Sequence, residues 1–221
     1  MSEQALTGVR ILDFSQVLAG PFATQLMAQL GAQVIKIEQP VGGDMTRGLM
    51  SASSDGMAPS FLAANLGKRS LTLDLKNPKA GEIVHKLVAE ADVIVENFKP
   101  GTIERLGFGY EAMKAVKPDL VYASISGFGQ TGPRASLPAF DGAIQAYSGM
   151  MSISGHAETG PVRSGYFSVD MSTALNAAFA ITSALLRRAN TGEGQHVDVS
   201  MLDTGQVDVK TEAFSAQQLL A

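Results

Sequence analysis

Apolar and polar positions along this chain alternate between a strand rhythm and a helix rhythm. Val9 to Phe14 is a short apolar run with β-branched members and reads as a buried strand. After Gly20-Pro21, the stretch FATQLMAQLG has amphipathic helical spacing and stops at Gly31. Residues 32–38, AQVIKIE, return to the strand pattern and end on charge. A strand, a short helix and a second strand make a βαβ unit, which implies a parallel sheet. Pro40 to Pro59 has little periodicity and many Gly, Ser and Asp, so it predicts a long loop, a length usually tied to function or mobility.

The rhythm then resumes. Arg69 to Lys76 alternates as a strand, and Pro78 to Ala91 has helical spacing with Ile83, Leu87 and Val88 on one face. Asp92 to Phe98 is a strand, and Lys99-Pro100-Gly101 turns into a helix over Thr102 to Leu106. Tyr110 to Val116 predicts a further helix, and Leu120 to Ser126 and Gln195 to Val199 predict strands. A last helix is expected over TEAFSAQQLLA. Strands and helices alternating in this way predict an α/β, doubly wound (Rossmann-like), mostly parallel sheet. Ligands of such sheets bind beyond the carboxyl ends of the strands, here after Phe14, Ile37, Leu75, Glu96 and Ser126.

Composition narrows the function classes. The 221 residues are 45% hydrophobic and 17% charged, a globular balance. A net charge of −4 lacks the basic face a nucleic-acid binder needs. With no cysteine there is no disulfide framework, thiolate chemistry or cysteine-ligated zinc. The opening MSEQALTGVR has no apolar core of a secretory signal. The most apolar stretch, Met171 to Leu186, is interrupted by Ser172, Thr173, Asn176, Thr182 and Ser183, which argues against a membrane span. The expectation is a soluble, cytoplasmic protein.

Several motifs test the chemistry. Gly127 to Gly132 matches G-x-G-x-x-G after a strand, but Pro133 and Pro138 follow, so no helix opens to receive a pyrophosphate. A plain glycine turn is the better reading. No P-loop and no G-x-S-x-G elbow occurs. His85, His156 and His196 lack metal-ligand spacing, and no metal is expected. His196 and Asp198 share a strand face, a pairing more often structural than catalytic. Lys68, Arg69, Lys76, Lys99 and Arg105 fall near the expected ligand end. Singly each reads as a solvated charge; together they suit a phosphorylated ligand.

Ser164 to Arg188 is the longest helical pattern, entered through Asp170 and closed near Gly192. Ser168 or Asp170 is placed to cap its start, the commonest role of such residues. The helix dipole would also keep an Asp there ionised and hence nucleophilic. The residues alone leave both readings of Asp170 open.

Longer stretches carry a resemblance. GVRILDFSQVLAGPFATQLMAQLGAQVIKIEQPVGGDMTRG, NLGKRSLTLDLKNPKAGEIVHKLVAEADVIVENFKPGTIERLGFGYE, SGFGQTGPRASLPAFDGAIQAYSGMMSISG and GEGQHVDVSMLD resemble the family III CoA-transferases over nearly the whole chain. The resemblance implies a CoA-transferase whose aspartate nucleophile is Asp170. Its CoA contacts fall on positions matching Val17 and Leu18; Leu73, Asp74, Leu75 and Lys76; Asn97, Phe98 and Lys99; Arg105; and Leu137 to Phe140. In this family the carboxylate attacks an acyl-CoA, an aspartyl-CoA thioester forms, and a carboxylic acid acceptor takes the CoA. Lys76 and Arg105 would suit the CoA phosphates.

Departures from the family are specific. The formyl-CoA/oxalate branch has His at Gln16, Gln at Leu18 and Arg at Gln39, which argues against that substrate pair here. The α-methylacyl-CoA racemase branch has a His where Phe140 stands, before Asp141; Phe supplies no base, so transfer is favoured over racemisation. Family chains are longer and form interlocked homodimers. The resemblance therefore makes residues 1–221 the N-terminal part of the large domain, ending before a smaller domain and a glycine-rich active-site loop. The competing readings are an acyl-CoA racemase or isomerase at the same site, and a CoA-binding half without catalysis of its own.

Overall fold

The computed structural model describes residues 3–49 and 57–208. Strands β1 (Arg10–Asp13), β2 (Gln33–Glu38), β3 (Arg69–Thr72), β4 (Val93–Glu96) and β5 (Val121–Ser126) lie where the apolar runs predict them. Two residues at each end of a short pair, Gly155–His156 (β6) and Gly160–Pro161 (β7), form a small hairpin, and β8 (Gln195–Ser200) completes the main sheet. That sheet has the order β3-β2-β1-β4-β5-β8, and every pairing in it is parallel. It is the doubly wound order, which reverses between β1 and β4.

The helices are α1 (Ala19–Gln29), α2 (Pro59–Asn65), α3 (Ala80–Glu90), α4 (Thr102–Arg105), α5 (Tyr110–Val116), α6 (Asp141–Tyr147) and α7 (Ser168–Thr191). Alternate strand residues face opposite layers. Ile11, Val34, Val95, Ala123 and Val197 pack with Ala23 and Met27 of α1 and Ala177 and Ile181 of α7. Leu12, Ile37, Ile94 and Tyr122 pack with Val84 and Val88 of α3, Ile103 of α4 and Met113 of α5. Burial on both faces is why β4 and β5 are unbroken runs of buried residues.

Four expectations change in detail. β3 ends at Thr72, although the Leu73 amide still donates to the Glu38 carbonyl, and the chain turns at Leu75 and Lys76, where Asp74 accepts the Lys76 amide. α3 buries Ala80, Val84 and Val88, a four-residue repeat that leaves Ile83 43% exposed. The region expected as one loop from Pro40 contains a 3₁₀ turn at Met45–Gly48, capped by Asp44, and α2 opens at Pro59. α7 begins at Ser168 and reaches Thr191, three residues beyond the expected end. By length and composition α7 would cross a bilayer, despite its polar interruptions, but one side of it is seated in the core. The helix expected over TEAFSAQQLLA lies outside the described residues.

Candidate active site

The turn from β1 to α1 is built to approach other backbone closely. A Cβ on Gly20 would lie 2.3 Å from the Ser15 Cβ, so only glycine allows this bend. Val17 sits at φ +69°, the one left-handed non-glycine residue among those described. A β-branched side chain there is strained, and strain persists only where neighbours hold it. The holders are visible. Asn97 clamps Gln16, accepting its amide at 2.8 Å and donating to its carbonyl at 2.7 Å. The Asp44 carboxylate accepts the Val17 amide at 3.3 and 3.4 Å, and Lys36 pairs with Asp44 at 2.9 Å while donating to the Ser15 carbonyl at 2.7 Å. We expect Val17→Gly to raise stability by about 1 kcal/mol, strain relief outweighing the entropy of glycine. Urea unfolding measures it, and a loss of stability would show that the turn stores no strain.

This turn opens onto a cavity of about 330 Å³ at the carboxyl ends of β1, β4 and β5. Its walls join Gln16, Val17 and Leu18 to Asn97, Phe98 and Lys99, to Leu137 and Phe140, and to Asp170. It lies at the point where strand order reverses, the place ligands take in this architecture. A second depression of about 360 Å³ adjoins it through Gln16 and Phe98 and is lined by Leu73, Asp74, Leu75 and Lys76. Of the residues matched by the resemblance, Arg105 alone lines neither; it is exposed on α4 and donates to the Thr102 hydroxyl.

The structure also sorts the basic residues. Lys68 is not available to a phosphate: its ammonium is buried on Asp13 at 2.8 Å and also donates to the Pro21 carbonyl and Asn65. Burial pulls Lys68 down to about 8. Burial opposes ionisation of Asp13, but Lys68 and Lys36 hold its carboxyl well below the usual carboxylate range. Arg69 begins β3 and lines a separate depression with Arg10, Gln33 and Glu90 at the opposite end of the strands. Lys76 and Lys99 remain exposed at the ligand end.

Asp170 caps nothing. The N-cap of α7 is Phe167, and no side chain of the helix's own start makes a capping bond. The cap arrives from α6: the Asp141 carboxylate accepts the Asp170 amide at 3.1 Å. Asp141 is 3% exposed and is held by Gln145, whose own amide oxygen accepts the Ser164 amide at 2.8 Å. This placement overturns the expectation that the helix dipole keeps Asp170 fully ionised. Burial, with the Asp141 charge beside it, pushes the Asp170 carboxyl up to about 7. A carboxylate that ionises only near neutrality is a stronger base and nucleophile than an exposed one.

Gly127 to Gly132 is a glycine turn, as expected, and its role is spatial. A Cβ on Gly127 would lie 2.1 Å from the Ala139 Cβ, so glycine lets the 137–140 wall close on β5. Sequence reasoning missed Met45, Ser126 and Met201 as lining residues, and the holding role of Asp141. Asp141 had a signal: an acid at a helix start, four residues before Gln145, after Pro138. Among the described residues, no group of acidic and histidine side chains is arranged to hold a metal ion.

Comparison with known proteins shows the family of the chain. The family model described as CoA-transferase family III matches residues 6–217. The chain is 42% identical over 204 residues to the succinate–glutarate CoA-transferase of Agrobacterium fabrum, covering 90% of this chain and 51% of that protein. It is 41% identical over 218 residues to the formyl-CoA:oxalate CoA-transferase of Bradyrhizobium diazoefficiens, covering 99% of this chain and 51% of the relative. The crystal structure of a CAIB/BAIF family protein from Brucella suis matches with a TM-score of 0.92 at 39% identity, over 98% of this chain and 58% of that one. This chain thus spans about half the length of the curated relatives it matches. Sequence, sheet order and overall shape agree, and the chain belongs to family III of the CoA-transferases.

Proposed function

We propose that this protein moves CoA from an acyl-CoA donor to a small carboxylic acid through an aspartyl-CoA thioester on Asp170. The observation that carries the reading is the shared cavity, in which Asp170 meets Val17, Leu18, Asn97 to Lys99, Leu137 and Phe140 at the strand-order reversal. The Asp170 carboxylate attacks the thioester carbonyl and expels CoA thiolate, leaving a mixed anhydride. The thiolate attacks the aspartyl carbonyl and expels the donor acid as carboxylate. The acceptor carboxylate then repeats the sequence in reverse. Dividing the exchange into acyl transfers between held partners lowers its entropic barrier.

The residues have separable parts in this scheme. Burial and Asp141 keep Asp170 basic, and they favour the uncharged anhydride and thioester over the free carboxylate. Lys76 and Lys99 supply positive charge for CoA phosphates. Phe140, 67% exposed at the cavity wall, provides no base for racemisation. The names of the two relatives suggest small dicarboxylic acids, and Gln16, Leu18 and Gln39 favour the succinate–glutarate class over oxalate. Exposed Leu175, Phe179 and Leu186 on α7 favour a homodimer in the full-length protein.

Intact-mass analysis after incubation with a panel of acyl-CoAs, with borohydride to trap the thioester, tests the proposal. We expect a CoA adduct before reduction and, after it, the alcohol of Asp170 with CoA released, both increasing with pH through about 7 and absent in Asp170→Ala. An adduct that survives in Asp170→Ala would remove Asp170 from the chemistry. CoA binding without any adduct would make this span a binding half only.

A further inference from the structure

One row of polar side chains, running from a buried carboxyl to an exposed imidazole, stands outside the Asp170 chemistry. Glu96 ends β4, is 2% exposed, and accepts the Phe98 amide at 2.9 Å, so it fixes the turn that carries Asn97, Phe98 and Lys99 into the cavity wall. The Ser124 hydroxyl on β5, directly opposite Glu96 across the strand pairing, favours the ionised Glu96 carboxyl and lies 2.9 Å from the His196 Nε2 on β8. Three neighbouring parallel strands thus place a carboxyl, a hydroxyl and an imidazole in a row, in register at Glu96↔Ser124 and two residues out of register at β8, where Ser124 pairs with Asp198. His196 stacks on Tyr110 and borders a surface depression with Glu104, Tyr110 and Glu111.

We propose that Glu96, Ser124 and His196 form a proton relay, through which solvent at His196 sets the grip of Glu96 on the Phe98 amide. The geometry permits two arrangements, because a hydroxyl has one proton to give and lone pairs to receive. In the first, the Glu96 carboxylate accepts the Ser124 O–H, and Ser124 accepts the His196 Nε2–H. In the second, a protonated Glu96 donates to Ser124, and Ser124 donates to Nε2 of an imidazole carrying its proton on Nδ1. Conversion moves the Nε2 proton to Oγ and the Oγ proton to Glu96, while Nδ1 takes one proton from water. The sum is one proton carried from solvent to Glu96. A carboxylate holds the Phe98 amide about twice as strongly as a neutral acceptor.

The surroundings favour this direction of travel. Burial pushes Glu96 up to about 7, with Glu104 and Asp198 adding to the effect, against the hydrogen bonds from Ser124 and the Phe98 amide. Burial lowers His196, against the attraction of Asp198, Glu104 and Glu111. Lowering the pH through about 7 therefore puts a proton on the carboxyl, while burial makes the imidazole give up its own more readily than usual. The Tyr122 hydroxyl, on the same strand as Ser124, is committed to the Phe108 carbonyl and takes no part.

The relay needs no catalysis for its test; only its bearing on CoA rests on the proposed function. Side-chain and amide NMR of the 221-residue chain between pH 5 and 9 should show the Glu96 carboxyl carbon and the Phe98 amide moving together, with a midpoint about 7. The His196 ring nitrogens should exchange tautomers over the same range without a full positive charge. Ser124→Ala should abolish the tautomer exchange, Ser124→Thr should restore it, and Glu96→Gln should abolish all three titrations. A His196 that keeps one tautomer while Glu96 titrates, or a Phe98 amide that ignores Glu96, would overturn the relay. Calorimetric binding of CoA across the same pH range then tests the function separately: an absent CoA site fails that reading while the NMR result on the relay stands.

Discussion

Acidification from pH 8 to pH 5 should stabilise this protein, the reverse of the usual acid response. Asp170 and Glu96 are carboxyls whose pKa rises to about 7 on folding, from ordinary values of 3.8 and 4.5. Between roughly pH 4.5 and 7 the folded state therefore binds more protons than the unfolded chain, and stability falls as pH rises. Each unit of displacement is worth about 1.4 kcal/mol, so the pair contributes on the order of 3–6 kcal/mol across the window. His196, lowered on folding by burial, works in the opposite sense below its ordinary value of 6.5. Further down, Glu38, held at about 2 against its burial by Arg47 and Ser70, and Asp13 lose their stabilising charge, and the fold fails in strong acid. Urea midpoints at pH 5, 6, 7 and 8 measure the effect. Asp170→Asn combined with Glu96→Gln should flatten the profile and raise stability at pH 8. A wild-type profile that is already flat would mean that both carboxyls remain solvated.

Lys68→Met should cost about 3–5 kcal/mol, because it leaves a buried charge alone. Lys68 and Asp13 side chains are 2% and 0% exposed, and the ammonium satisfies three oxygens at once: Asp13, the Pro21 carbonyl and Asn65. Asp13 in turn accepts the Ser15 amide and the Ser15 and Thr24 hydroxyls, which tie the start of α1 to β1. Substituting both partners, Asp13→Asn with Lys68→Met, should cost less than the sum of the two single changes, since neither charge is then stranded. Denaturant unfolding of the four proteins closes this cycle. A loss below about 1 kcal/mol for Lys68→Met would place the pair in water, contrary to its burial.

The same residues explain what was legible in the sequence. Apolar strands announce themselves because both faces of this sheet are covered, so the runs at Val93 to Glu96 and Val121 to Ser126 are continuous. The doubly wound class and the position of the ligand end follow from that alternation. α6, the short hairpin and α2 left no clear signal, being seven residues or fewer and held by tertiary contacts. Asp170 and nearly all the residues matched by resemblance line the two adjoining depressions, so residues far apart in sequence are brought together by the fold. The electrostatics of the site were not legible in the sequence. A lysine such as Lys68 looks like surface charge until its distant acid is placed beside it, 55 positions away in sequence. Asp170 looks like an ionised cap until Asp141, 29 positions earlier, takes the capping role. Backbone strain at Val17 has no sequence signature, because nothing about valine predicts a left-handed conformation.

The borrowed cap has a consequence for how the reactive end of α7 comes into being. Helix nucleation is unfavourable, and a first turn without its own cap frays in isolation. Here the turn containing Asp170 is completed only when Asp141 and Gln145 are seated, so its order is granted by α6. Asp170 is thus the last part of its helix to become fixed and the first to be released. Amide exchange at Asp170 should report the docking of α6, making the readiness of the site a cooperative property of two segments joined by the short hairpin.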